Sequence, residues 1–96
     1  MSQTQTQRIG SHCTNWNCKD GVTRVTYHNT DVVTFTDDLI ILNTGGWFTA
    51  TTKARMNQTS EQFDLGYRVF QREWLWFVDY KGTILPFSLS KCEISR

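Results

Sequence analysis

The chain has 96 residues, enough for one small domain with a single modest core. Ten Lys and Arg residues stand against nine Asp and Glu residues, so the formal net charge is only +1. That balance excludes the marked basic excess typical of strong duplex-DNA binders, and any attraction of nucleic acid must be local. Aromatic residues make up 14% of the chain and bury much area per residue, so we expect the domain to fold without disulfides or a structural metal.

Residues 1–20 are predicted to be a flexible polar tail, because Gln, Thr, Ser and Asn dominate and few apolar residues anchor them. The tail lacks the apolar segment of a secretory signal, and the apolar runs at 39–42 and 74–78 are too short to span a bilayer. Three cysteines are too few for a disulfide-rich secreted domain. We therefore expect a soluble intracellular protein with no membrane contact.

Residues 21–96 are predicted to form a single domain that opens with an antiparallel meander. Its first three strands are the β-branched or apolar segments 22–28, 32–36 and 39–42, which are separated by turn residues. The run 39–42 is apolar without interruption, as is typical of a strand covered on both faces.

One helix is predicted at residues 50–63, because four positions fall on one narrow face at about 100° per residue. These positions are Thr52, Met56, Thr59 and Phe63. Gly66 is the expected stop signal. Strands follow at 67–72, 74–80 and 83–89, with Pro86 favouring an edge or a bulge. The predicted fold is α+β, a mostly antiparallel sheet of about five to six short strands in the order βββ-α-βββ, packed on the single helix.

The segment that joins the third strand to the helix is the leading candidate for a binding site. Glycines permit a left-handed turn, and a helix start offers unpaired N–H groups and the positive end of the helix dipole. No acidic residue occurs between Leu39 and Ser60, so nothing there repels an anion. The candidate binding residues are Gly45, Gly46, Trp47, Thr51, Thr52, Lys53 and Arg55.

Helix geometry narrows this site. Lys53 and Arg55 lie about 160° apart around the axis, so at most one of them can join the glycines at one anion. We expect Lys53 to be the basic residue that contacts the anion. The spacing GxxxxGK[ST] of a P-loop is absent from the segment. The alternative is that Gly45-Gly46 is only a turn, Trp47 only core, and the threonines only caps. Thr49, Thr51 and Thr52 are equally able to cap the helix.

A second candidate surface follows the helix. Arg68, Phe70 and Arg72 alternate onto one face of their strand, and Trp74 is predicted to share a face with Trp76. An exposed aromatic and basic face could stack the bases of a single strand or contact a protein. The alternative is that one aromatic row is core and the arginines are solvated. Arg68, Arg72 and Trp74 are candidate binding residues on this surface.

Catalytic and metal chemistry have little support. Cys13 and Cys18 are weak candidates for metal ligands, since zinc needs about four N or S ligands and His28 and Cys92 are isolated. No nucleophile elbow or orienting residue accompanies the thiols. We therefore expect free thiols, no cofactor, no catalytic residue and no enzymatic activity.

The pattern YHxTxVVxF, starting at Tyr27, and the pattern TGGWxTxTTKxRMNQ, starting at Thr44, resemble small proteins encoded in bacteriophage genomes. The resemblance covers most of residues 22–78 and brings no site residues with it. It implies a phage accessory protein working in a bacterial cytoplasm. We expect a non-catalytic binding protein whose partner is nucleic acid or a phosphate group at the Gly45–Arg55 segment. The alternative partner is a host protein, such as a polymerase, a nuclease or an anti-phage defence complex, which the chain would inhibit or modulate. The oligomeric state is left open.

Overall fold

The computed structural model describes residues 14–96. In this range eight strands form two antiparallel sheets, and one helix packs against both. The elements are β1 (Thr14–Lys19), β2 (Val22–Tyr27), β3 (Thr30–Phe35), β4 (Leu39–Asn43), α1 (Ala50–Phe63), β5 (Tyr67–Arg72), β6 (Leu75–Tyr80), β7 (Thr83–Pro86) and β8 (Lys91–Ser95). The predicted α+β class, a mostly antiparallel sheet with a single helix, is confirmed.

The larger sheet has the strand order β1-β2-β3-β4-β8, and the smaller sheet has the order β5-β6-β7. Two-residue turns join β1 to β2, β2 to β3, β5 to β6 and β6 to β7, whereas three residues join β3 to β4. The last strand returns to pair with β4, where Cys92 lies opposite Leu42.

Helix α1 lies against β2 and β3 of the larger sheet and against β5 of the smaller one. Its bounds and its buried face were predicted correctly, because Thr52, Met56 and Thr59 are all buried. Phe63 is half-buried at the end of that face and packs its ring 5.1 Å from the ring of Phe35. The core therefore lies where the helix meets both sheets, and it includes Val69 and Val78 of the smaller one.

A second, polar face of α1 hydrogen-bonds the outer edge of β5. Asn57 accepts a bond from the backbone N–H of Val69 at 2.7 Å and donates one to its carbonyl at 3.0 Å. The hydroxyl of Ser60 donates to the Tyr67 carbonyl at 2.7 Å and accepts from its N–H at 3.0 Å. These bonds satisfy edge groups that a neighbouring strand would otherwise satisfy.

The predicted start of the folded domain at Gly21 is wrong, because residues 14–19 form β1. A single aromatic anchor holds this polar strand, since the ring of Trp16 lies edge-on, 5.1 Å from that of Phe63. Asp20-Gly21, both with positive φ, form the tight turn into β2, and Asp-Gly is a hairpin signal. Residues 1–13 of the predicted tail lie outside the described residues.

The second half also differs in detail from the prediction. Strand β6 begins at Leu75, because Glu73 and Trp74 together form the turn that follows β5. Strand β7 ends at Pro86, and β8, which was not predicted, follows after a second tight turn. Trp74 therefore lies in a turn and not on the strand of Trp76, so the strand alternation from which a shared face was predicted does not apply to it.

Candidate functional site

The Gly45–Thr49 loop and the turn between β2 and β3 border an open cavity of about 530 Å³, which we call the loop cavity. It is lined by Tyr27, His28, Asn29, Thr30, Trp47, Thr49 and Thr51. None of these side chains is acidic. The register explains the encounter of the two segments, because Val33 pairs with Leu42 and the continuation of that register places Thr30 opposite Gly45.

The two glycines hold the loop against β3. Gly45 and Gly46 have φ values of +63° and +88°, which favour glycine. A Cβ on Gly45 would lie 2.5 Å from Thr30 Oγ1, so the side chain of Thr30 requires glycine at this point. The Gly45 N–H donates to Asn43 Oδ1 at 2.9 Å, and the Gly46 N–H donates to Thr44 Oγ1 at 3.1 Å. These bonds and the close approach to Thr30 thus hold the predicted turn in place.

The helix start distinguishes the three candidate threonines. Thr49 is the N-cap, and its hydroxyl accepts a bond from the Thr52 N–H at 3.2 Å. Thr52 itself is buried, with its hydroxyl 3.1 Å from that of Thr49, so it supports the cap and does not face a ligand. Thr51 lines the loop cavity together with Trp47. Of the predicted binding residues, Trp47 and Thr51 are the two that line the loop cavity.

The two predicted basic contacts lie elsewhere. Lys53 Nζ donates to Gln71 Oε1 on β5 at 3.1 Å. Arg55 is only 9% exposed, and its Nε donates to Thr14 Oγ1 at 2.9 Å. Its guanidinium carbon lies 5.7 Å from the ring centroid of Tyr27, so Arg55 supports a wall of the cavity from behind. Arg55, a candidate binding residue, is therefore not placed to meet a phosphate, because it is buried among helix and sheet side chains.

The outer face of the smaller sheet carries the second predicted set. Arg68 and Arg72 are exposed, as expected from the alternation along β5. The Phe70 ring stacks on that of Phe77, with centroids 5.7 Å apart, and the guanidinium carbon of Arg72 lies 5.6 Å from the Phe70 centroid. Phe70 is half-buried in these contacts, which limits the area that it could offer to a base.

Trp74 is exposed for 91% of its surface at the tip of the β5–β6 hairpin. It lines an apolar groove of about 400 Å³, which we call the tip groove. The groove is lined by Phe48, Trp74, Leu75, Trp76, Phe77, Pro86, Phe87 and Leu89. Of these, only Trp74 was predicted as a binding residue, because the groove joins three segments that are distant in sequence: the approach to the helix, one hairpin and the β7–β8 turn.

The described thiols are separated. Cys18 is exposed on β1, and Cys92 is buried on β8. Burial, reinforced by the charge of Glu93, raises the pKa of the Cys92 thiol. Within residues 14–96, no group of three or more His, Cys, Asp or Glu side chains is placed to hold a metal ion. Cys13 lies outside that range. Nor does any helix there have the length and apolar character needed to cross a bilayer.

The four cavity residues on the β2–β3 turn were not predicted as site residues. Tyr27, His28 and Thr30 belong to the pattern that carries the phage resemblance, but nothing local in the sequence placed them beside Trp47.

A model of the Kyanoviridae Gp96 protein family matches residues 2–91. The chain belongs to that family. The family is one of phage proteins, as the resemblance implied, and the Gp96 description names neither an activity nor a ligand. No curated protein and no solved structure matches the chain.

Proposed function

We propose that this member of the Kyanoviridae Gp96 family is a non-enzymatic phage accessory protein that binds single-stranded nucleic acid in the host cytoplasm. The observation that supports it is the loop cavity, where Trp47 is 63% exposed beside the Tyr27 and His28 rings. An exposed indole gives a stacking surface for a base, and stacking tolerates any base because every base has a π-face.

The remaining lining also suits a base. The side-chain amide of Asn29 can both donate and accept a hydrogen bond. Adenine is recognised by such an amide, which donates to its N7 and accepts from its N6 amino group. Thr30, Thr49 and Thr51 add hydroxyls that bond to sugar or base edges. A base enters such a cavity only when it is unstacked, so the proposal specifies single strands and excludes duplex.

Phosphate contacts contribute little in this proposal. The chain carries a formal charge of +1, and Arg55 is buried. Lys53 lies outside the loop cavity, where one exposed hydrogen bond joins it to Gln71, and a phosphate further along a bound strand can replace that bond at small cost. One lysine contact corresponds to a salt slope of about −0.7 for a single strand. The proposed binding is therefore driven by stacking and only weakly dependent on salt.

Fluorescence anisotropy with labelled oligonucleotides of about 6 nucleotides tests this proposal across a salt series. We expect Trp47→Ala to weaken single-strand binding by about 5- to 150-fold, since one stacked base contributes about 1–3 kcal/mol. Trp74→Ala removes a tryptophan outside the cavity and is the matched control. Lys53→Ala should flatten the salt slope by about 0.7. The proposal fails if no binding is detected at low salt, or if Trp47→Ala binds as tightly as the unmodified chain.

A second candidate, a protein that inhibits or modulates host machinery, is favoured by a different observation. Trp74 is 91% exposed in an apolar groove, and aromatic surface of this kind is typical of protein interfaces. Affinity capture from host lysate with and without nuclease separates the candidates. A partner lost on nuclease treatment and on Trp47→Ala favours nucleic acid, whereas one that survives nuclease but not Trp74→Ala favours the protein.

A further inference from the structure

Two large apolar side chains occupy strained turn positions beside the tip groove. Trp74 has a φ of +71° at the β5–β6 turn, and Leu89 has a φ of +56° at the β7–β8 turn. Their exposed fractions are 91% and 92%. The left-handed region costs a residue with a Cβ about 1–2 kcal/mol, and exposing a large apolar side chain to water gains nothing in return.

The chain uses glycine where other hairpins need the same geometry. Gly21 and Gly82 occupy the second position of their two-residue turns, with φ values of +78° and +86°. Trp74 occupies that second position in the β5–β6 turn. Folding alone therefore does not account for a tryptophan there, and strain of this kind points to a contact outside the fold.

The groove beside these side chains has walls that are already fixed. Trp76 is buried, and its ring meets that of Phe48 at 5.4 Å and that of Phe87 at 5.8 Å, both edge-on. The groove volume of about 400 Å³ falls in the range of preformed sites that receive a large apolar group. One surface thus carries both a projecting indole and a recess able to receive one.

Strand addition is a poor route to association at the smaller sheet. The outer edge of β5 is bonded by Asn57 and Ser60 of the helix. The other edge strand, β7, carries Pro86, which has no N–H to donate. Association of this sheet must therefore use side chains.

Charge at the hairpin tip is self-complementary. Arg72 and Glu73 directly precede Trp74, and both are exposed. In a contact with two-fold symmetry, if Arg72 of one copy meets Glu73 of the other, then the reverse pair forms as well. The net charge of +1 adds almost no repulsion between copies.

We propose that two copies of this chain associate about a two-fold axis through the tip groove, each placing the Trp74 hairpin tip in the groove of the other. The arrangement buries the two exposed apolar side chains and pairs the tip charges, which gives the strained turns a function. It is independent of nucleic acid binding at the loop cavity.

Sedimentation velocity of the full chain over a concentration series tests this proposal. We expect a dimer whose dissociation constant rises about 30-fold or more on Trp74→Gly, as for a central aromatic contact. Glycine suits the turn, so this variant should melt at an equal or higher temperature than the dissociated unmodified chain. Ile84→Thr removes a half-exposed apolar side chain outside the groove lining and should leave the dimer unchanged.

A charge exchange tests the symmetry. Arg72→Glu alone and Glu73→Arg alone should each place like charges across the interface and weaken the dimer, whereas an equimolar mixture should associate again. The proposal is overturned by a single species of monomer mass at every concentration, by a dimer that survives Trp74→Gly, or by a monomer that binds only a host protein at this groove.

Discussion

The side-chain amide of Asn57 forms hydrogen bonds with both backbone polar groups of Val69, at 2.7 Å and 3.0 Å. A residue on the helix thus takes the place of a neighbouring strand. Val69 is fully buried, so neither of its backbone groups could turn to water if the amide were removed. The smaller sheet is fixed to the helix through this pair more specifically than apolar contact alone would achieve.

Asn57→Ala should destabilise the fold by about 2–4 kcal/mol, because it leaves a buried donor and a buried acceptor without partners. Urea unfolding followed by circular dichroism measures the change. Glu61→Ala, an exposed helix position, is the matched control and should change the free energy of unfolding by less than about 0.5 kcal/mol. Equal effects of the two substitutions would contradict the structural role of Asn57.

The helix was predictable because its signals are local. The hydroxyls before it, the apolar positions Met56 and Phe63 and the uninterrupted stretch between Gly46 and Gly66 all lie within one segment. The polar face that bonds β5 was not predicted, because the partners of Asn57 and Ser60 on β5 depend on tertiary placement. Local periodicity predicts which side chains share a face of the helix, whereas the residues that cover that face depend on the tertiary fold.

The candidate site was predictable only in part for the same reason. Trp47 and Thr51 do line a cavity, but its opposite wall comes from the β2–β3 turn through the register of β3 with β4. The prediction for Arg55 failed because a cation beside a helix start was treated as exposed. In the fold, Thr14 and Tyr27 cover it, and β1 had been assigned to the tail.

Gly45 and Gly46 should respond differently to alanine. Both have positive φ, so each substitution costs about 1–2 kcal/mol in backbone strain. Only at Gly45 does the added Cβ also meet Thr30, at 2.5 Å from Oγ1, whereas nothing lies within 4 Å at Gly46. We expect Gly45→Ala to cost about 2–5 kcal/mol, since overpacking adds to the strain.

Thermal melting of the two variants, each alone and combined with Thr30→Ala, measures this difference. Removing the Thr30 hydroxyl and methyl should recover part of the loss at Gly45 and none at Gly46. Similar losses for both glycines, or no recovery, would show that Thr30 does not restrict the loop.

Tyr67 should make the stability fall at high pH. Its hydroxyl donates to the Met56 carbonyl at 2.6 Å, and burial raises its pKa well above the ordinary value of 10.0. The folded state therefore holds a proton that the unfolded state releases above pH 10.0. The stability that this proton contributes is complete below that pH and is lost as the pH rises through the window up to the folded pKa.

Urea unfolding between about pH 8 and pH 11 tests this linkage. Above the unfolded pKa, the unmodified chain should lose about 1.4 kcal/mol more per pH unit than Tyr67→Phe, which has no proton to lose. Tyr80→Phe removes a half-buried phenol and shows whether the effect belongs to the buried one. Parallel pH profiles of the unmodified chain and Tyr67→Phe would contradict the assignment.

Cys18 and Cys92 should differ in reactivity because of where the sheet places them. Cys18 is exposed on the edge strand β1, whereas Cys92 is buried on β8 and its pKa is raised. Since the thiolate is the reactive form, alkylation by iodoacetamide should modify Cys92 on the order of 100-fold more slowly than Cys18. Peptide mass spectrometry measures both rates in one sample.

In urea the two rates should converge, because the fold and not the local sequence protects Cys92. Equal rates in the folded protein would mean that β8 does not remain paired with β4. Cys13→Ser combined with Cys18→Ser provides a sample in which the reaction of Cys92 can be followed by itself.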